Sequence, residues 1–205
     1  MPTLYSSRPN LVLGFHGCDR SIANAVINNG TQMKPSQNDY DWLGHGIYFW
    51  ENNFERAWNW AVEQSQRPNS KIKTPAVIGA VIDLGYCFDL LDNHYLEELK
   101  KAYDAYIETS RTANTPIAQN KSIHGSQDLL LRNLDCAVVM AAHELNRKAE
   151  EKPYDSVRGA FWEGARLYPN AGFAEKNHIQ ICICNPNCIK GFFHPRDIVP
   201  EFDVP

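Results

Sequence analysis

The stretch Asn38-Asp-Tyr-Asp-Trp-Leu-Gly-His-Gly-Ile-Tyr-Phe-Trp-Glu-Asn-Asn-Phe-Glu-Arg-Ala-Trp-Asn-Trp60 decides how the chain is read. Gly44 and Gly46 bracket His45, and the aromatic run from Gly46 to Trp50 has the residues of a short strand. A helix is expected from Asn53 to Glu63, with Phe54, Ala57, Trp58 and Val62 on one face. So much aromatic surface beside permissive backbone suits a slot for a flat ligand. Tyr40, Trp42, Trp50, Trp58 and Trp60 are too many for one slot, so two or three of them belong to the core.

Upstream, Leu11 to His16 is an apolar strand that delivers His16 to its end, just before Gly17. Asp19 is placed to cap a helix carrying Ile22, Ala25, Val26 and Ile27, which Asn29-Gly30 stops. From Thr31 to Gly46, Pro35, Ser36, Asn38, Asp39 and Asp41 favour turns, and a loop of that length inside a domain tends to carry function.

Downstream, Pro75 to Gly85 is almost wholly apolar and β-branched, the pattern of a strand paired on both sides. Helical spacing covers Tyr95 to Ile107 and Gln127 to Asn146, with a polar loop from Thr109 to Gly125 between them. Asp155 to Tyr168 reads as an extended piece with a glycine turn. His178 to Cys184 alternates as a strand, with His178, Gln180, Cys182 and Cys184 on one face, and extended structure resumes from Cys188 to Phe193.

At 205 residues, 43% hydrophobic and 21% charged, the chain can bury a full core and reads as one domain over residues 1–205. A net charge of -4 and a pI near 6.0 argue against gripping nucleic acid by overall charge. No N-terminal stretch has the pattern of a targeting segment, and no apolar run approaches the roughly 20 residues of a bilayer span, so a cytoplasmic protein without a membrane partner is expected. Cys18, Cys87, Cys136, Cys182, Cys184 and Cys188 form no C-x-x-C pair and read as reduced core residues, so no metal is expected.

The order of Gly14-Phe-His-Gly17, Ala25-Val-Ile-Asn-Asn-Gly30, Gly44-His-Gly-Ile-Tyr-Phe49, Ala57 and the strand Val77 to Gly85 resembles the ADP-ribosyltransferase superfamily. Within it, the resemblance is to the diphtheria-toxin-like and poly(ADP-ribose)-polymerase-like branch with a His-Tyr-[Glu/Asp/Gln] signature. It implies an α+β fold, an ADP-ribosyltransferase-like split antiparallel β-sheet with flanking helices, and a cleft in which NAD is bound and its nicotinamide bond broken. NAD is then a co-substrate, with no metal. His16 would hold the adenosine-side ribose, and the Gly17 backbone the nicotinamide amide. Tyr48 would pack on the nicotinamide, and Trp58 or Trp60 would close the other side. The loop from Thr31 to Trp42, carrying Tyr40 and Trp42 and hinged at Gly44-His-Gly46, would be the donor-site lid.

At the third signature position stands Gln180, which can hydrogen-bond a ribose hydroxyl but supplies no charge and no base. A strand residue satisfying a buried backbone group would look the same. His178 lies on the same face and is a further candidate, with an ordinary polar surface residue as the other reading. If the acceptor must lose a proton, Glu163, Glu175 or Glu51 supplies the carboxylate; Arg158 and Glu163 also read as a structural ion pair.

A mono-ADP-ribosyltransferase of toxin or phage-defence style is expected, acting on a macromolecular acceptor that is RNA, DNA or protein, with a lean to nucleic acid. An inhibitory antitoxin-like partner fits so bare a catalytic domain. An NAD glycohydrolase and an inactive NAD- or ADP-ribose-binding module are the alternatives.

Overall fold

The apolar run after Pro75 forms strand β3 (Pro75–Ile82), which pairs antiparallel along its whole length with β1 (Val12–Asp19), from Val12 opposite Ile82 to Asp19 opposite Pro75. The computed structural model describes residues 11–122 and 128–204. The remaining strands are β2 (Ile47–Glu51), β4 (Cys87–Asp89), β5 (Asn120–Lys121), β6 (Leu131–Arg132), β7 (Ser156–Phe161), β8 (His178–Ile183) and β9 (Ile189–Phe193). Seven of them make one sheet in the order β4-β7-β8-β2-β1-β3-β9, and β5 and β6 pair separately.

The sheet is mixed. The expectation of a wholly antiparallel sheet fails at β4 and β7, which run parallel. Two long helices lie between them in sequence, and such a crossover is what parallel neighbours require. The extended piece expected from Asp155 to Tyr168 ends as a strand at Phe161, with only an isolated bridge from Arg166 to Ala174 beyond.

The β1–β2 ladder is short: Gly14 faces Glu51 and Phe15 faces Trp50, and the strands then diverge. A seam therefore divides β4-β7-β8-β2 from β1-β3-β9.

Four α-helices lie among the described residues: α1 (Arg20–Asn29), α2 (Phe54–Ser65), α3 (Asn93–Thr112) and α4 (Asn133–Lys148). Asp19 caps α1 as its sequence position predicts, accepting from Ser21 N–H at 2.9 Å. Its second oxygen accepts from the N–H groups of Lys73 and Thr74 at 2.7 and 2.9 Å, tying the entry of β3 to that of α1.

The Ser21 hydroxyl, with the N–H groups of Thr74, Ser21 and Lys73, holds the Asp19 carboxyl well below the usual carboxylate range. Stability from a depressed acid is present above its unfolded value near 3.9 and lost as pH falls toward the folded one. Asp19→Ala should thus cost about 1 kcal/mol at pH 7 in urea unfolding, and less at about pH 3. Equal costs at both pH values would refute the link.

Two helix boundaries differ from the sequence expectation. Helix α3 runs on to Thr112, shortening the expected Thr109–Gly125 loop, whose end lies outside the described residues. Helix α4 starts at Asn133, after Leu131-Arg132 has paired with Asn120-Lys121; Gln127 also lies outside the described residues. The reason is non-local: the Asn120 side chain accepts from the Leu134 and Asp135 N–H groups at 2.9 and 3.2 Å and fixes the start of α4. No local signal in α4 marks that point.

Register sorts the side chains. Trp50 is opposite both Phe15 and Gln180, so these share one face with Tyr48, His178, Phe161 and Gly17. On this face α2 covers Phe15, Trp50 and Val77, while α3 and α4 cover Phe88, Val157 and Cys182. The other face packs Ile47, Phe49, Ile82 and Ile181 together, with α1 over Cys18 and Ile78. Among the described residues, no helix is long and apolar enough to cross a membrane.

Candidate functional site

Of the predicted signature residues, His16 and Tyr48 touch across the seam, His16 from the face that carries Phe49 and Tyr48 through its main chain, while Gln180 bonds elsewhere. His16 lies just past the last β1–β2 pair, and its Nδ1–H donates to the Tyr48 carbonyl at 2.8 Å. A side chain that reaches a main-chain carbonyl of the facing strand occupies the opening between the strands. With Nδ1 donating, Nε2 carries the lone pair. Burial lowers the His16 pKa, partly opposed by the Tyr48 carbonyl, so the ring is neutral at pH 7.

Tyr48 is committed to its own loop. Its hydroxyl donates to the Gly44 carbonyl at 2.8 Å and accepts from the Leu43 N–H at 2.9 Å. Desolvation pushes its pKa far up, so the phenol stays protonated. The ring face, not the hydroxyl, is what it can offer a ligand.

Gln180 is likewise engaged: its Oε1 accepts from Trp42 Nε1 at 2.6 Å, which fastens the expected lid to β8. That loop is held elsewhere as well, by reciprocal backbone bonds between Ser36 and Gly46 and by Asn38 N–H donating to Asp41. Gly46 owes its identity to packing, because a Cβ there would lie 2.6 Å from the Ile183 carbonyl oxygen. Gly17 lies beneath α2, facing the Ala57 carbonyl, Trp60 and Ala61, so helix rather than open space covers its Cα.

The expected aromatic wall divides. Trp50 is buried and Trp42 and Trp60 are half-buried, whereas Tyr40 and Trp58 are exposed. Trp42 meets Phe161 at 4.9 Å, Phe161 meets His178 at 5.3 Å, His178 meets Trp50 at 6.1 Å and Trp50 meets Trp60 at 5.7 Å. These rings form one continuous wall over β7, β8 and β2. A cavity of about 530 Å³ opens beside it, lined by Trp42, Gly159, Trp162, Arg132, Leu99 and Val139.

The carboxylates separate too. Glu163 pairs with Arg56 at 2.8 Å, not with Arg158, which instead holds Glu51 and Asp89. The Arg158–Glu163 pair is absent because register puts Arg158 on the opposite face, opposite Ile181. Glu175 is exposed and accepts from the Ala165 N–H at 3.3 Å, within its own loop.

His178 is a correction to the sequence expectation, since it is buried at 8% exposure rather than on the surface. The Phe161 and Trp50 rings flank it at 5.3 and 6.1 Å. Its Nδ1–H donates to the Lys176 carbonyl at 2.6 Å, leaving the Nε2 lone pair without a partner. Burial lowers its pKa, so it too is neutral at pH 7.

Around it lie further buried polar atoms without partners: Trp50 Nε1, Arg56 Nε and Nη1, and Asn177 Oδ1. The Arg56 guanidinium stacks over Trp50 at 5.6 Å. Buried polar groups are normally satisfied, so such a cluster marks a place where water or a ligand completes the bonding. Sequence reasoning missed Arg56; an arginine on the apolar side of an aromatic helix was the available signal. Among the described residues, no group of three His, Cys, Asp or Glu side chains is placed to hold a metal ion.

No known family model matches this chain. No solved structure matches it either. It is similar to an uncharacterized protein of Methanocaldococcus jannaschii, at 28% identity over 195 residues, covering 86% of this chain and 83% of the relative.

Proposed function

We propose that the protein is an ADP-ribosyltransferase that takes NAD as donor and passes ADP-ribose to a macromolecular acceptor. One observation carries the reading. Beneath α2, on the sheet face that carries Trp50 and His178, buried donors without partners (Trp50 Nε1, Arg56 Nε and Nη1) and buried acceptors without partners (His178 Nε2, Asn177 Oδ1) gather among aromatic rings, the His178 ring 6.1 Å from Trp50 and Arg56 stacked 5.6 Å over it. A planar primary carboxamide, which offers one acceptor oxygen and two N–H donors, is the complement of that set, and nicotinamide is an aromatic ring bearing one. The divided sheet and the order of the motifs support the same reading.

In this proposal His178, rather than Gln180, does the polar work at the start of β8. The C1–N bond to nicotinamide breaks and its electron pair leaves with the ring. A positively charged sugar centre is left for the acceptor's lone pair to attack. The leaving group needs no proton, so the site works by orientation and exclusion of water. His178 Nε2, with its single lone pair, accepts one carboxamide N–H and keeps the ring in line as the bond breaks. Glu163 steadies Arg56 against the carboxamide oxygen.

The test is release of nicotinamide from NAD, labelled on the adenylate side, in the presence of total lysate. Label should remain on macromolecules, and protease and nuclease digestion then identifies the acceptor class. His178→Ala should lower release by about a hundredfold or more, the scale of a lost preorganised hydrogen-bonding group, while Lys148→Ala on the surface of α4 leaves it unchanged. Because the His178 pKa is lowered, the rate should be flat through neutral pH and fall only in acid. Full nicotinamide release by His178→Ala would refute the assignment. Release without labelled macromolecule would move the reading to an NAD glycohydrolase.

A further inference from the structure

Three side chains that the proposed site leaves unused gather at the other end of β8. Cys184 follows the last residue of that strand, and its Sγ lies 3.8 Å from Nε2 of His143 on α4. Two residues back, Cys182 projects to the same side and is fully buried, its thiol donating to the Gly44 carbonyl at 3.6 Å. This is the carbonyl that also accepts the Tyr48 hydroxyl. Cys184 is half-buried, so a small reagent can reach it. Cys87 is the other half-buried thiol, and the remaining four are buried.

An imidazole beside a thiol favours the thiolate, which is the reactive form. The Cys182 thiol, then His143, hold the Cys184 pKa below the ordinary range, whereas burial pushes Cys182 up. The pair thus divides into a reachable thiolate and a buried, protonated partner.

We propose that Cys184 is a peroxide-reactive thiolate whose oxidation closes a disulfide with Cys182. The Cys184 sulfur attacks one peroxide oxygen; the S–O bond forms, the O–O bond breaks and hydroxide leaves. Sulfur is oxidised by two electrons and the peroxide reduced by two. Cys182 then yields its proton to His143 and attacks the sulfenic sulfur. The S–S bond forms, the S–O bond breaks, and the departing hydroxide leaves as water with the His143 proton.

Residues two apart on a strand have Cα atoms about 6.6 Å apart, inside the upper limit of about 6.8 Å for a disulfide, but their same-side Cβ atoms must close to about 4.5 Å or less. Cys184 lies past the last ladder pair of β8 with its N–H held by the Asp155 carbonyl at 3.0 Å, so forming the bond bends the chain at this point. Closing the bond removes the Cys182 hydrogen bond from Gly44 and leaves the Asp41–Gly44 turn with the Tyr48 hydroxyl. Oxidation thereby loosens the turn that backs Tyr48.

The test exposes the reduced full chain to stoichiometric hydrogen peroxide, denatures it, blocks free thiols by alkylation, and fragments the peptide containing Cys182, Cys184 and Cys188. The expected result is loss of alkylation at Cys182 and Cys184 together, with Cys87 still alkylated. In Cys182→Ser, a sulfenic acid should be trapped on Cys184. His143→Gln should slow the oxidation about tenfold, the scale of a lost thiolate-stabilising neighbour. A separate alkylation of the native variant, in which buried Cys18 and Cys136 stay unmodified, shows that it is folded. The proposal fails if Cys184 reacts no faster than Cys87, if the new bond joins Cys184 to Cys188, or if folded His143→Gln reacts at the unaltered rate.

Discussion

Arg158→Met is expected to destabilise the chain by about 3–5 kcal/mol, the cost of breaking a buried ion pair by removing one partner. Arg158 is 6% exposed and Asp89 5%, so neither charge has water to fall back on. Its Nη2 donates to Glu51 at 2.9 Å, and its Nη1 to both oxygens of Asp89 at 3.2 and 3.3 Å. The guanidinium joins β7 to β2 and to β4, and methionine would fill its volume while leaving two carboxylates with no cation between them.

Total stability of a domain is on the order of 5–15 kcal/mol, so the urea midpoint should drop by a large fraction. The pH dependence separates this cause from simple loss of packing. Without Arg158 two carboxylates are left with no cation between them, and that cost is greatest while both carry charge. The difference from the unaltered chain should therefore be widest at neutral pH and shrink toward pH 5. A difference independent of pH would assign the loss to packing. Replacing Glu51 and Asp89 by leucine in the same variant should restore much of the stability, because a well-packed apolar cluster can match a buried ion network.

Gly17→Ala is expected to cost about 3 kcal/mol, the upper end of overpacking in a filled core. A Cβ at this position would fall well inside contact distance of the Ala57 carbonyl oxygen, and it would crowd Trp60 at 3.1 Å and Ala61 at 3.2 Å. The nearest obstacle is helix backbone, so no rotamer change relieves it, and α2 must lift from β1. Trp60 and Arg56 ride on α2, so nicotinamide release should fall together with stability under the proposed function. Ala61→Gly in the Gly17→Ala background should recover little, because the Ala57 carbonyl remains. Full recovery by that second change would show the Ala61 methyl to be the obstacle.

Much of the architecture was legible because it is local. The alternation in His178 to Ile183, the β-branched run of β3 and the Asp19 cap each state their structure within a few residues. The motif order also drew His16 and Tyr48 to one seam, where a hydrogen bond joins them across 32 residues. The site's polar content was less legible. Gln180 looked available, but its amide is taken by Trp42, 138 residues away in sequence. His178 looked like a surface residue, but it is buried beside the Phe161 and Trp50 rings.

The sequence by itself determined most of the strands and the approximate spans of the helices, because periodicity, capping and β-branching act over one or two turns of chain. Only the tertiary structure decided which polar partners meet: Arg56 with Glu163, Arg158 with Glu51 and Asp89, Asn120 with the start of α4. Any of several carboxylates or amides could have served each of these groups. Sheet order and register made the choice, since in a buried environment each polar atom must take whatever complementary atom the fold brings within reach. At Trp50, Arg56 and His178 the fold brings none, and those atoms are the ones from which a function is read.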